Sequence, residues 1–240
     1  MESPRHTASH SAREIGTLVI MAKAPRLGMV KTRLAKSLPV EAVTELYRCL
    51  LTDTIALGRS LGTVELAIMC PGSDVEELAM LANGEVNIVA QKGEGLAAGL
   101  TSVFAHFAGG KHRRVVAFNS DSPHLPPAIL TSAFETLATH DVVVGPTHDG
   151  GYYLVGAKAA HPALFDGDGM GTKTALDALL ARARRLQLSV GFTDSFYDID
   201  VEDDLVRMAA ELRLDPARAP RTAAWLADWT QPRNPSRTGT

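Results

Sequence analysis

The chain has 240 residues, 45% of them hydrophobic and 21% charged, with a formal net charge of −3. That is enough apolar material for one large domain. A slightly acidic chain is not a general binder of nucleic acid or anionic membrane, which calls for a basic surplus; positive charge here is local and suits a small anionic ligand.

Residues 1–15 are polar and lack the apolar core of a secretory signal, so they read as a disordered leader. The closing segment, 230–240, is polar and Pro-containing and reads as a disordered tail. Between them, 16–229 is expected to form a single domain. "TLVIMA" (17–22), "VELAIMC" (64–70), "VNIVA" (86–90), "RVVAF" (114–118) and "DVVVG" (141–145) read as strands. They are β-branched and nearly continuously apolar, as in strands covered on both faces. Helical patterns separate them. In 39–58, Val40, Val43, Leu46, Tyr47, Leu50, Leu51 and Ile55 share a face. In 126–139, Ile129, Leu130, Ala133, Phe134 and Leu137 do the same. Further helices are expected near 74–82, 95–108, 172–187 and 201–213.

Strands and helices in turn imply a mostly parallel sheet with right-handed crossovers, an α/β layer fold. "GPTHDGGYYLVGA" breaks the alternation, because turn residues and no helix part "VVVG" from "YYLVG". An antiparallel or edge strand should follow the fifth. Cys49, in a helical stretch, and Cys70, at a strand end, have no metal-type spacing and read as reduced structural thiols of a cytoplasmic protein. No apolar run approaches the roughly 20 residues that cross a bilayer.

In such sheets ligands sit at the carboxyl ends of strands, which leaves four segments. "KAPRLGMVKTRL" (23–34) gathers Lys23, Lys31 and Arg33 around Gly28 directly after the first strand. It is neither a Walker A loop nor G-x-G-x-x-G. Its amides and cations could face phosphates, although a solvated basic loop would look the same. "FNSDSPHLP" (118–126) places Asp121 where a strand ends. It could hold Mg²⁺, or cap the next helix. "THDGGYYLVG" (147–156) offers Gly150 and Gly151 for close backbone approach, with Asp149 or His148 beside them; Asp-Gly-Gly is equally a hairpin turn.

In "FYDIDVEDDL" (196–205), Asp198 and Asp200 alternate across Ile199 and point to one side of an extended segment. With Asp121 nearby they would form a divalent-cation site, since three carboxylates repel without a cation or shared proton. Glu202, Asp203 and Asp204 read as the negative first turn of a helix. The eight His show no Ser-His-Asp arrangement. His6 and His10 lie in the leader, and His112, His124, His140 and His161 read as surface or loop residues.

Together these four motifs resemble a family of bacterial glycosyltransferase-A-like transferases of unassigned activity, some named as radical-SAM/selenodomain-associated. The family is similar to 2-phospho-L-lactate guanylyltransferase and, more distantly, to molybdenum cofactor guanylyltransferase. The resemblance covers about residues 16 to 213. It implies a three-layer α/β/α fold of the nucleotide-diphospho-sugar transferase (GT-A) type. It implies nucleotide contacts from Lys23, Ala24, Pro25, Gly28, Lys31, Arg33 and Gln91. Asp121, Asp198 and Asp200 would hold Mg²⁺ (or Mn²⁺), with Lys31, Asp121 and Asp149 as catalytic residues. Gly150, Gly151 and Tyr152 would line the acceptor side.

The implied partners are a nucleoside triphosphate or nucleotide-sugar and a small-molecule acceptor. The implied reaction is nucleotidyl transfer with release of pyrophosphate. Glycosyl transfer is the alternative, and a non-catalytic nucleotide-binding protein a third. Two departures from the family pattern stand out. In "QKGEGLAAGL", Ala97 replaces a glycine and Gly99 an arginine, removing a possible bidentate phosphate contact. In "GMGTK", Met170 stands where Trp is common.

Overall fold

The computed structural model describes residues 16–84, 86–109, 114–167 and 172–230. The expected leader, the expected tail beyond Thr230, His112 and Met170 lie outside the described residues. The five anticipated strands form, as β1 (Gly16–Met21), β2 (Val64–Cys70), β3 (Asn87–Ala90), β4 (Arg114–Asn119) and β5 (Val142–Pro146). β6 (Tyr152–Ala157) follows β5 through the 147–151 turn, and β7 (Val190–Phe192) completes the seven-stranded sheet. The helices are α1 (Val40–Ser60), α2 (Val75–Leu81), α3 (Gly95–Phe107), α4 (Pro127–Thr139), α5 (Ala175–Arg185), α6 (Glu202–Leu214) and α7 (Pro220–Thr230).

Because successive strand side chains point to opposite faces, β1 serves two cores at once. Val19 packs with α3 and α5 through Leu100, Phe104 and Leu179. Leu18 packs toward Leu57 of α1 and Leu130 of α4, and Ile20 meets Tyr47 and Leu51 of α1. Helices therefore cover both faces, the three-layer α/β fold that the sequence implied. A fourth cluster joins Leu46 and Leu50 of α1 to Leu205 and Met208 of α6 and Leu226 of α7.

The strand order is β3-β2-β1-β4-β6-β5-β7. The sixth strand is antiparallel, as its helix-free connection required, but it is not an edge. It lies between β4 and β5 and is antiparallel to both. An all-apolar "YYLVGA" has the composition for that interior place. β7 and α7 were not anticipated, and Thr230, expected in the tail, ends α7. The expected surface or loop place of His124 is also corrected. The residue is fully buried, its Nε2 paired with the Tyr197 hydroxyl at 2.8 Å.

The topology creates one rim. Parallel β1 and β4 are in register, with Met21 opposite Asn119, so their following loops leave side by side. Antiparallel β6 starts where β4 ends, with Phe118 opposite Leu154. The segment after β7 returns to the same rim, where the Ser122 hydroxyl donates to the Tyr197 carbonyl at 3.1 Å. All four motifs thus meet at the carboxyl ends of the central strands, the place where α/β sheets hold ligands. No helix among the described residues is long and apolar enough to cross a membrane.

Candidate active site

The loop after β1 is fixed from beneath. The Ala24 amide donates to the Asp74 carboxylate at 2.9 Å, and the Lys23 amide to the Tyr47 hydroxyl at 3.2 Å. Arg26 binds Asp74 at 2.6 Å, Glu77 at 2.9 Å and the Ser73 carbonyl at 2.8 Å. Burial raises the Asp74 pKa, but the bonds from Ala24, Ser73 and Arg26 outweigh it and hold the carboxyl below its usual value. Tyr47 also bonds the Ser120 hydroxyl at 3.0 Å, which ties the loop to the end of β4. Held this way, the loop passes Gly28 (φ 70°) and Lys31 (φ 47°) in the left-handed region and presents Lys31 and Arg33 to the rim.

Lys31 reaches into the acids. Its ammonium pairs with the Asp121 carboxylate and lies 3.5 Å from Asp200 Oδ1, with the side chain 7% exposed. Arg33 pairs with Asp200 Oδ2 at 2.7 Å. Burial pulls the Lys31 pKa down, but Asp121, Asp200 and Asp198 prevail and hold the ammonium charged above the ordinary lysine value. Asp198 goes the opposite way for a carboxyl. Burial and then the Asp121 charge raise its pKa, against the pull of Lys31. Asn119 steadies Asp198, its amide donating to Oδ1 at 2.6 Å. Asp204 orients the neighbouring backbone by accepting the Asp200 and Val201 amides at 2.8 Å each. This confirms the acidic first turn of α6.

Two cavities adjoin at this cluster. The first, about 1000 Å³, is lined by Lys23, Lys31, Arg33, Ser73, Gln91 and Gly95 among others. The second, about 630 Å³, is lined by Asp121, Asp149, Gly151, Tyr152, Lys173 and Asp198 among others. Asp200, Arg33, Ser120, Met21 and Leu96 border both. In the second, the Thr147 hydroxyl donates to Asp149 at 2.6 Å and lowers its pKa. Asp149 is thus an ionised acceptor and a weak base.

The structure brings together Lys23, Lys31, Arg33 and Gln91 around one cavity, and Asp121, Asp149, Gly151, Tyr152 and Asp198 around the other, with Asp200 at the border. It does not bring Ala24, Pro25 or Gly28 to either wall. Ala24 and Pro25 are buried beneath the loop, and Gly28 is on its outer side. Gly150 packs against the Lys173 carbonyl instead of lining the cavity. His148 is exposed and lines neither. Sequence reasoning missed Arg26, Tyr47, Asp74, Asn119, Ser120 and Lys173. For Asp74 a signal existed: "PGSD" directly follows β2, at the same rim as the basic loop.

The donor set of Asp121, Asp198 and Asp200 is all oxygen, the chemistry that Mg²⁺ or Mn²⁺ takes. Asp121 Oδ1 and Asn119 Oδ1 are buried without a hydrogen-bond partner. The residues therefore fit such an ion chemically. In this geometry the Lys31 ammonium lies among the carboxylates, and no three His, Cys, Asp or Glu side chains among the described residues cluster as metal ligands.

Residues 54–172 match the model of a family described as "Uncharacterized protein conserved in bacteria (DUF2064)". That segment runs from within α1 to the turn before α5 and contains Asp121 and Asp149. No curated protein matches the chain in sequence. Among solved structures, a Desulfovibrio desulfuricans G20 protein described as a "putative nucleotide-diphospho-sugar transferase" superposes with a TM-score of 0.80 at 26% identity. The match covers 89% of this chain and 94% of that one. A nucleotidyl transferase from Methanothermobacter (Mth528) gives 0.56 at 20% identity, covering 84% and 99%. The 4-diphosphocytidyl-2C-methyl-D-erythritol synthase of Anaerococcus prevotii DSM 20548 gives 0.58 at 10%, covering 83% and 96%. The fold is that of nucleotide-diphospho-sugar transferases, and the Desulfovibrio and Methanothermobacter neighbours are described as transferases of nucleotide-sugar and nucleotidyl type.

Proposed function

We propose that the chain is a divalent-cation-dependent transferase of a nucleotide-activated group, and that its reaction is nucleotidyl transfer. One observation carries this reading: the basic loop and the three acids meet at the border of two adjoining cavities. The first cavity would take the nucleotide, with Lys31 and Arg33 on its phosphates and Gln91 on its far wall. The second would take the acceptor, whose reacting oxygen would stand near the acid cluster. Mg²⁺ or Mn²⁺ held by Asp121, Asp198 and Asp200 would supply charge compensation on the phosphates.

The acceptor oxygen would bond to the α-phosphorus as the α–β bridging bond breaks, and pyrophosphate would leave. Such a step depends on positioning and charge stabilisation. The cations of the loop supply both, by fixing the phosphates and by balancing charge on the leaving group. Asp149, kept ionised by Thr147, would orient the acceptor through a hydrogen bond. Glycosyl transfer is the second reading, favoured by the description of the Desulfovibrio neighbour.

The test is thermal stabilisation by GTP, CTP, ATP, UTP, UDP-glucose and GDP-mannose, each with and without Mg²⁺. A ligand that binds only the native state raises the melting temperature by mass action. A Mg²⁺-dependent shift confined to a triphosphate supports nucleotidyl transfer. A shift confined to a sugar nucleotide supports glycosyl transfer. No shift with any of them removes the nucleotide-activated reading.

A further inference from the structure

The acid cluster already has a cation. Asp121 and Asp200 both face the Lys31 ammonium, Asp200 is shared with Arg33, and the Lys31 side chain is almost wholly withdrawn from water. An ammonium on Asp121 Oδ2 and a divalent ion on Oδ1 of the same carboxylate would repel each other across it, and the same ammonium also stands against Asp200 Oδ1. The lysine proposed above for the phosphates and the aspartate proposed for the cation are therefore engaged with one another.

We infer that Lys31 is the resident counter-ion of the cluster, and that a divalent cation reaches Asp121, Asp198 and Asp200 only by displacing it. This rests on the cation site proposed above. The released ammonium stays on the loop that lines the first cavity, where donor phosphates provide its new partner. Metal and nucleotide then enter together. A bare ion must evict a buried ammonium, whereas an ion arriving with phosphates gives that ammonium somewhere to go. The arrangement makes Lys31 a positioning residue in the ligand-free protein and a phosphate contact in the complex. With Arg33, Lys31 also offsets the charge of Asp121 and Asp200.

The surroundings permit the exchange. Loop residues 23–26 are anchored by Tyr47, Asp74 and Glu77, whereas among the described residues the Lys31 side chain bonds only to the acids. Lys31 can therefore turn without unseating the loop. Asp198 is held by Asn119 and would keep its place while the ammonium leaves.

The experiment is Mn²⁺ binding to the nucleotide-free chain, read from the paramagnetic resonance of free Mn²⁺, for the unaltered protein, Lys31→Gln, and Lys31→Gln with Asp121→Asn. The expected result is at least a tenfold tighter Mn²⁺ site in Lys31→Gln, lost again in the double variant. Equal affinity in the unaltered chain and Lys31→Gln, abolished by Asp121→Asn, overturns the displacement while leaving the cation site standing. Mn²⁺ binding that Asp121→Asn never affects, or no binding in any form, removes the cation site and the inference with it. Should Lys31→Gln fail to fold, amine acylation of the unaltered chain with peptide mapping decides. Lys31 is expected to be protected in chelator and labelled at saturating Mg²⁺ without nucleotide, where the ion alone has displaced it. Labelling that Mg²⁺ leaves unchanged overturns the displacement.

Discussion

The Asp74 carboxylate, just past the end of β2, accepts the backbone amide of Ala24 at 2.9 Å, fifty residues earlier in the chain. It ties the loop after β1 to its neighbouring strand and is 5% exposed. Asp74→Ala would strand the buried Ala24 amide and remove one of the three partners of Arg26. A buried donor left without its partner costs about 1–3 kcal/mol, so a loss of about 2–3 kcal/mol is expected in chemical denaturation, with weaker nucleotide binding. Arg26→Ala should cost under about 1 kcal/mol, because its side chain is 42% exposed and its ion pairs are partly screened. Equal losses in the two variants would show that the ion pair, and not the amide, holds the loop.

His124 supplies a pH test. Burial, then the Arg218 and Arg207 charges, push its pKa down to about 3 from an ordinary 6.5. The unfolded chain takes up a proton near pH 6.5 and the folded chain does not until near 3. Its contribution is therefore complete above pH 6.5 and is lost as pH falls toward 3. The slope within that window is about 1.4 kcal/mol per pH unit. His124→Gln keeps a side chain able to pair with the Tyr197 hydroxyl but cannot titrate. Denaturation of both proteins between pH 4 and 7 should show a shallower dependence in the variant; parallel curves would mean that His124 ionises while folded.

His124 also shows where sequence reading stops. "SPHLP" looks like an exposed turn, and only the return of Phe196, Tyr197 and Glu211 over it makes it a core residue. The long strands were legible because burial on both faces leaves almost no polar residue in them. β7 was not, since three residues, "VGF", carry no period. α7 was not, because "PRTAAWLADWT" reaches its partner α1 only in three dimensions, where Asp53 accepts the Thr222 amide at 2.8 Å. Convergence of the four motifs followed from the rule that loops leave a parallel sheet at the carboxyl ends of its strands. The engagement of Lys31 with Asp121 did not, because sequence spacing says nothing of which charge a flexible lysine will meet.

Asp121 should separate ligand binding from folding. Its polar contact is with Lys31, and it caps no helix, since α4 begins at Pro127. Asp121→Ala is expected to abolish Mg²⁺-dependent stabilisation by nucleotide while leaving the circular-dichroism spectrum unchanged. Unaltered Mg²⁺-dependent affinity in calorimetry would remove Asp121 from the site.

Gly150 has a backbone reason to be glycine. Its φ is +91°, and a Cβ there would lie 2.0 Å from the Lys173 carbonyl oxygen. Gly150→Ala combines a disfavoured backbone with a clash against main chain, so a loss of about 2–3 kcal/mol is expected. The 147–151 turn should move, and Thr147, Asp149 and Tyr152 with it. An unchanged melting temperature would mean that the turn and residue 173 part easily.

Gly99, where the resembling family has arginine, sets two effects against each other. It is buried inside α3, where exchanging glycine for alanine favours the helix by about 1 kcal/mol. A Cβ there would meet Met21 Cε at 2.7 Å and Gln91 Oε1 at 2.8 Å. Both are far ends of flexible side chains, so they can yield. Gly99→Ala should therefore change stability by less than about 1 kcal/mol. The effect should appear in binding instead, because Gln91 lines the first cavity and its amide is anchored to the Gly93 carbonyl at 2.9 Å. Gly99→Arg cannot simply restore a phosphate contact. The guanidinium would have to pass through the space that Met21 and Gln91 now fill, at an overpacking cost of about 1–3 kcal/mol. Its expected signature is lower stability and weaker nucleotide binding together. Tighter binding in Gly99→Arg would mean that the space opens readily and that Gln91 has no part in holding the ligand.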